Sequence, residues 1–186
     1  MSDHPSPEEI QTVLAEADLL WTPAEVESAI NKMAQDITDQ LSTKNPVVLC
    51  LVNGAIVPAG LLIPKLNFPL ELDYIHASRY RNQTSGGQID WVRKPPAVIT
   101  NRCVLIVDDI LDEGITLKAL IDECKNMQAS EIYSAVLIDK QLERPRAVAR
   151  ADFQGLQVPN RYVFGYGMDY KGYLRNAPGI FAVKGL

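Results

Sequence analysis

The sequence predicts an α/β fold: a mainly parallel, twisted sheet flanked by helices. Three observations predict it. Segments with helical spacing of apolar residues alternate with short apolar runs, the pattern of parallel strands joined by crossover helices. The runs at 46–52, 103–107 and 132–138 lack polar alternation, so they suit strands buried on both faces. Each run then ends in polar or glycine residues, at the strand ends where open parallel sheets bind ligands. A length of 186 residues fits a single domain with one core.

The elements follow in chain order. Ser6-Pro7-Glu8-Glu9 reads as a helix start: a capping hydroxyl, proline at the first helical position and glutamate at the third. Ile10, Val13, Leu14 and Ala17 then recur at helical spacing. Thr22-Pro23-Ala24-Glu25 repeats the signature, and Val26, Ile30, Met33, Ile37 and Leu41 form the stripe of a second helix. The first buried strand, 46–52, stops at Asn53-Gly54. A short helix is expected over 55–66 and a strand over 70–77. Residues 78–96 are polar, contain glycine and show no period, which predicts a long functional loop. After the strand at 103–107 a helix opens near Thr116, its apolar face made by Leu117, Leu120, Ile121, Cys124 and Met127. The strand at 132–138 ends at Asp139-Lys140, and short strands are expected at 161–164 and 180–183.

Composition narrows the function classes. Hydrophobic residues make up 47% and charged residues 22%, ordinary values for a globular protein. A formal net charge of -5 argues against general nucleic-acid binding, which needs a basic surface to replace counterions. No apolar stretch approaches the ~20 residues that span a bilayer, so no membrane partner is expected. No basic N-terminal segment leads into an apolar run, so a cytoplasmic location is expected. Cys50, Cys103 and Cys124, an odd number set in apolar runs, read as buried free thiols of a reducing compartment.

The most informative run is Val104-Leu105-Ile106-Val107-Asp108-Asp109-Ile110-Leu111-Asp112-Glu113-Gly114-Ile115-Thr116. It reads as a buried strand, two adjacent acids, a short loop, one glycine and a threonine opening a helix. A loop-to-helix junction offers unpaired backbone N–H groups and the positive end of a helix dipole, a ready phosphate site. Asp108 and Asp109 can accept hydrogen bonds from sugar hydroxyls. The pair of acids alone would be an ordinary solvated turn. The glycine-lysine pattern of a Walker loop is absent, and one glycine cannot make a dinucleotide fingerprint.

The whole run resembles the phosphoribosyl pyrophosphate (PRPP) signature of the type I phosphoribosyltransferases. The resemblance extends from about residue 47 to 183 and is to the hypoxanthine-guanine branch of that family. It implies the family's fold over 1–186 as a single domain. The core would span about 45–140, a small hood would form from about 1–20 and 150–186, and a mobile loop would lie at about 78–96. On this resemblance Asp108, Asp109, Asp112, Glu113, Gly114, Ile115 and Thr116 would hold the sugar phosphate of PRPP. Asp112 would be the general base. Many members have threonine where Glu113 stands, so its carboxylate is expected to turn outward.

Further matches imply further roles. Leu51-Val52-Asn53-Gly54 resembles the family's pyrophosphate loop, where the peptide at Val52–Asn53 tends to be cis. The family often has lysine or arginine at Asn53. Val52, Asn53, Gly54 and Arg175 would bind pyrophosphate. The family's serine-tyrosine pair of the mobile loop falls on Arg79-Tyr80, with arginine as a departure. Lys140 would donate to the oxygen at C6 of a purine. The segment from Pro159 to Arg175 resembles the purine-binding segment: Tyr162 would stack on the base, the Val163 backbone would pair with its edge, and Asp169 would complete the purine site. Asp169, Asp108 and Asp109 would hold magnesium. The partners implied are PRPP and a 6-oxopurine base, in a homodimer or homotetramer. Two alternatives stay open: a related enzyme for another base such as xanthine, adenine or a pyrimidine, and a PRPP-binding regulator on the same fold. An ammonium can only donate, so Lys140 favours a 6-oxo over a 6-amino group.

Overall fold

The computed structural model describes residues 4–79 and 89–185. Both N-terminal helix starts form as the sequence expects. Helix α1 spans Pro7–Glu16, and the Ser6 side chain accepts the Glu9 N–H at 3.1 Å. Strand β1, Asp18–Trp21, follows it. Helix α2, Pro23–Leu41, opens on a capping box: Thr22 Oγ1 accepts the Glu25 N–H, and Glu25 Oε2 accepts the Thr22 N–H at 2.8 Å.

The main sheet comprises β2 (Val47–Val52), β3 (Glu71–Arg79), β4 (Ile89–Arg93), β5 (Cys103–Leu111), β6 (Glu131–Lys140) and β7 (Phe153–Val158). Its order is β4-β3-β2-β5-β6-β7. All pairings are parallel except β3 with the edge strand β4. Helices α3 (Ile56–Leu62) and α4 (Ile115–Asn126) follow β2 and β5. Val47, Val48, Leu49, Val104, Leu105 and Ile106 are fully buried, which is why these runs show no polar alternation. The α2 stripe of Val26, Ile30, Met33, Ile37 and Leu41 is buried on this sheet. Truncating one such side chain, Ile37→Ala for example, costs about 2–5 kcal/mol.

A second, three-stranded sheet joins the two ends of the chain. It has β1 beside β9 (Ile180–Ala182), and β9 beside β8 (Val163–Phe164), all antiparallel. Ile10, Val13 and Ala17 of the α1 region pack on Phe164, Tyr170, Ala177 and Val183. The Trp21 indole N–H donates to the Gln157 carbonyl at 2.9 Å and ties this layer to β7.

Several expectations need correction. β5 runs on through Asp108 to Leu111, because these residues stay in register with Val136 to Asp139 of β6. The two acids, expected at the end of the strand, therefore stand within it. Strands β1, β4 and β7 were not expected. The main sheet, with α2 packed on it, reaches Val158 and so exceeds the expected core of 45–140. Within 78–96, Ile89–Arg93 is a strand with alternating burial, and Arg79 pairs with Ile89. Tyr80 lies outside the described residues.

Candidate functional site

Strands β2, β3, β5 and β6 are parallel, so their carboxyl ends open on one edge of the sheet. Two adjoining cavities lie there. One, of about 310 Å³, is lined by Val52, Asn53, Gly54, Asp108, Asp112, Gly114, Thr116 and Arg175 among others. The other, of about 340 Å³, is lined by Lys140, Tyr162, Val163 and Met168. Asp109, Ile110, Asp112 and Asp169 belong to both. The small sheet and the turns between β8 and β9 thus bring Tyr162, Val163, Asp169 and Arg175 over the strand ends of the large one.

The loop after β5 is shaped for close backbone approach. Gly114 sits at φ +74°, and a Cβ on it would lie 2.7 Å from the Val148 nitrogen. It caps α4, whose first helical bond runs from the Lys118 N–H to the Gly114 carbonyl at 2.9 Å. The first-turn N–H groups, including those of Ile115 and Thr116, have no helical acceptor and mark the positive end of the dipole. The Glu113 carboxylate pairs with Arg144, away from both cavities, as its expected outward turn requires. On the β2 side the Val52–Asn53 peptide is cis, as the family pattern leads one to expect. Gly54 lies against the Asp109 carboxyl: an added Cβ would fall 2.2 Å from Asp109 Oδ2.

The electrostatics divide the acids into two kinds. Asp108 and Asp109 are packed side by side. Burial, then the Asp109 charge, pushes Asp108 well above the usual carboxylate range. Burial raises Asp109 too, offset by the hydrogen bond from Asp108 and by the Arg175 charge. Asp112 and Asp169 instead have cations: Lys140 Nζ is 3.0 Å from Asp112 Oδ2, and Arg175 Nη2 is 2.6 Å from Asp169 Oδ1. Among the described residues, Asp108, Asp109 and Asp169 do not gather into a three-ligand metal cluster. The Tyr162 ring meets Tyr170 edge-on, with centroids 5.6 Å apart.

Residues 22–171 match the family model of the phosphoribosyl transferase domain. The chain belongs to the phosphoribosyltransferase family. Among similar proteins is a hypoxanthine-guanine-xanthine phosphoribosyltransferase of Tritrichomonas foetus, 30% identical over 184 residues, covering 99% of this chain and 97% of that one. A hypoxanthine-guanine phosphoribosyltransferase of Streptococcus pneumoniae is 34% identical over 161 residues, 86% of this chain and 89% of the relative. The fold is that of a solved hypoxanthine phosphoribosyltransferase from Staphylococcus aureus. The TM-score is 0.83 at 27% identity, over 90% of this chain and 91% of the other.

Against this phosphoribosyltransferase background, most residues singled out in the sequence line one cavity or both. Glu113 and Ile115 do not line them; Arg79 belongs to β3 by its backbone, and Tyr80 lies outside the described residues. Sequence reasoning missed Ala77, Ile110, Leu111 and Met168 as cavity walls. It also missed Arg146, which pairs with Asp139 and donates to the Lys140 carbonyl. Apolar walls carry no sequence signal that separates them from core, and an isolated arginine in a polar segment carries none either.

Proposed function

We propose that this chain transfers the 5-phosphoribosyl group from PRPP to hypoxanthine or guanine, giving IMP or GMP and pyrophosphate. The observation that carries this reading is the placement of Asp112. Its carboxylate lies on the wall common to both cavities and holds Lys140 at 3.0 Å. One cavity suits a sugar phosphate and the other a flat base, with a proton acceptor between them.

In the reaction a purine nitrogen bonds to the anomeric carbon as the bond to pyrophosphate breaks. Positive charge grows on the sugar and negative charge on the leaving group. The 112–116 loop would hold the 5-phosphate by backbone N–H groups and the Thr116 hydroxyl. Asp108 and Asp109 would accept from the ribose hydroxyls. Arg175 and the Val52–Gly54 backbone would meet pyrophosphate with donors that strengthen as charge builds. Tyr162 would stack on the base, and the Val163 backbone would pair with its edge. A 6-oxopurine offers the Lys140 ammonium a second acceptor at C6. As Lys140 turns to it, Asp112 is left to take the purine's proton, help worth ~10²–10⁴ in rate.

Magnesium fits the residues present. Asp108, Asp109 and Asp169 offer only hard oxygen donors, and burial, which works against the charged form of the adjacent pair, would be offset by a bound cation. Magnesium commonly takes one or two carboxylates, with substrate phosphates and water as the rest, so no all-protein cluster is needed. When bound it neutralises pyrophosphate charge. Xanthine is a third candidate base, because the Tritrichomonas foetus relative is named for it. No helix among the described residues is long and apolar enough to cross a membrane. A cytoplasmic homodimer or homotetramer remains part of the proposal. The test is pyrophosphate release from PRPP with hypoxanthine, guanine, xanthine and adenine, with and without a chelator. Magnesium-dependent turnover of the oxopurines is expected. Adenine as the best base, or full activity in chelator, overturns the reading.

A further inference from the structure

The segment after Lys140 does more than connect β6 to β7. It lies against the loop that carries Asp112. The Ala147 N–H donates to the Glu113 carbonyl at 2.9 Å, and Arg144 pairs with the Glu113 carboxylate. Val148 fills the space beside Gly114 that a Cβ would need. Arg146 is the centre of this brace. The two N–H groups of its Nη1 are shared among three acceptors, the Leu111 carbonyl at 3.2 Å, the Lys140 carbonyl at 3.1 Å and Asp139 Oδ1 at 2.6 Å.

The placement of those acceptors is what matters. The Leu111 carbonyl is bonded directly to the nitrogen of Asp112, and the other carbonyl is that of Lys140 itself. One guanidinium nitrogen therefore bridges the two main-chain points from which the Asp112–Lys140 pair projects. The bridge is sheltered: the side chains of Arg146 and Asp139 are 13% and 6% exposed. In such a site hydrogen bonds to a charged donor are stronger than in water, and the bridge resists spreading of the strand ends.

We infer that Arg146, held by Asp139, is a positioning residue that sets the separation of Asp112 and Lys140. It touches neither cavity and acts only through those two groups. The inference rests on the proposed roles of Asp112 in proton transfer and Lys140 at the C6 oxygen. It also accounts for Glu113, whose carboxylate adds an ion pair to the same brace.

The test is a double-mutant cycle read by single-turnover rates with PRPP, magnesium and hypoxanthine. Arg146→Met is expected to slow the parent ~10–100-fold, the usual effect of misplacing a reacting group by about 1 Å. All three hydrogen bonds leave one nitrogen, so Arg146→Lys, with three N–H groups on one nitrogen, should recover most of the rate. In an Asp112→Asn background the same Arg146→Met should slow the reaction less than about threefold, because coupled residues are non-additive. Equal slowing in both backgrounds overturns the inference. If Arg146→Met does not fold, the cycle is run with Asp139→Asn, under the same criterion. A second measurement needs no activity. Amide exchange in the substrate-free protein should quicken at 112–116 in Arg146→Met and stay unchanged at 104–107. Inactivity of the parent with every base would sink the proposed function, while unchanged exchange at 112–116 would sink the positioning role.

Discussion

Lys140 Nζ lies 3.0 Å from Asp112 Oδ2, and the lysine side chain is 12% exposed against 42% for the aspartate. The more buried partner is the cation, and Asp112 is the partner that faces both cavities. Asp112→Asn is nearly isosteric and keeps the loop's backbone donors. It removes the proton acceptor and, with it, the charge that pairs with Lys140. Single-turnover rates should fall by ~10²–10⁴ with PRPP affinity little changed. A rate within about threefold of the parent, far below the worth of a general base, would show that the proton goes elsewhere.

Lys140→Met should separate the two cavities. The ammonium lines the base cavity and not the one with the phosphate loop. Losing a charged donor is worth about 1.5–3 kcal/mol, or ~10–150-fold in 6-oxopurine affinity. Calorimetry with PRPP alone should give the parent's value. Equal losses for both ligands would make Lys140 a structural residue.

Gly54→Ala tests the floor of the pyrophosphate side. The added Cβ would fall 2.2 Å from Asp109 Oδ2 and 2.5 Å from its Cγ, so the carboxyl or the loop must move. Overpacking of this kind costs about 1–3 kcal/mol, or ~5–150-fold in PRPP binding with magnesium. Base binding should change less, since Gly54 does not line that cavity and reaches it only through Asp109. Normal PRPP affinity in this variant would remove Asp109 from the PRPP site.

The three free thiols should be silent in the folded protein. Burial, and the nearby Asp108 and Asp109 charges, push Cys50 up to about 11. Burial then Glu123 takes Cys124 to about 11, and burial raises Cys103 as well. At pH 8 the thiolate fraction of a group near 11 is ~10⁻³, so a disulfide reagent should react slowly until urea exposes all three. Rapid native labelling of Cys50 would mean that the β2–β5 seam opens readily.

How much of this was legible in the sequence depended on the range of the interactions. The two capped helices are local, and Ser6-Pro7-Glu8-Glu9 and Thr22-Pro23-Ala24-Glu25 state them outright. The buried strands are legible because Val104 to Val107 pack on both faces. The four-residue β1 was not, because its partner β9 lies some 160 residues along the chain. β4 does alternate, with Ile89, Trp91 and Arg93 partly buried and Asp90 and Val92 exposed, but five residues inside a polar, glycine-containing stretch do not announce a strand. The acids Asp108 and Asp109 suggested the end of the strand, and pairing with β6 carries the strand on to Leu111. The Arg146 bridge joins residues 35 apart through backbone carbonyls, which leave no trace in sequence.

The anchor of α1 gives a pH-dependent prediction. Glu9 Oε1 accepts from Lys171 Nζ at 2.9 Å and from the Tyr170 hydroxyl at 3.1 Å. Lys171, then Tyr170, holds the Glu9 carboxyl below its ordinary value of 4.5. A depressed carboxyl contributes its stabilisation in full above the unfolded value and loses it as pH falls through the folded one. The anchor should therefore hold at neutral pH and weaken only below about 4.5. Glu8 on the same helix is also lowered, by its own backbone N–H and then by Ser6. Amide exchange of α1 between pH 3 and 6 should show a step. Glu9→Gln should shrink it, and Glu8→Gln with Glu9→Gln should abolish it. The consequence for function runs through Tyr170, whose ring packs against Tyr162. At neutral pH Glu9→Gln should raise the KM for the base while leaving that for PRPP alone, because Tyr162 lines only the base cavity. An α1 step unchanged in Glu9→Gln would show that the helix is held by its apolar face alone, through Ile10, Val13 and Ala17.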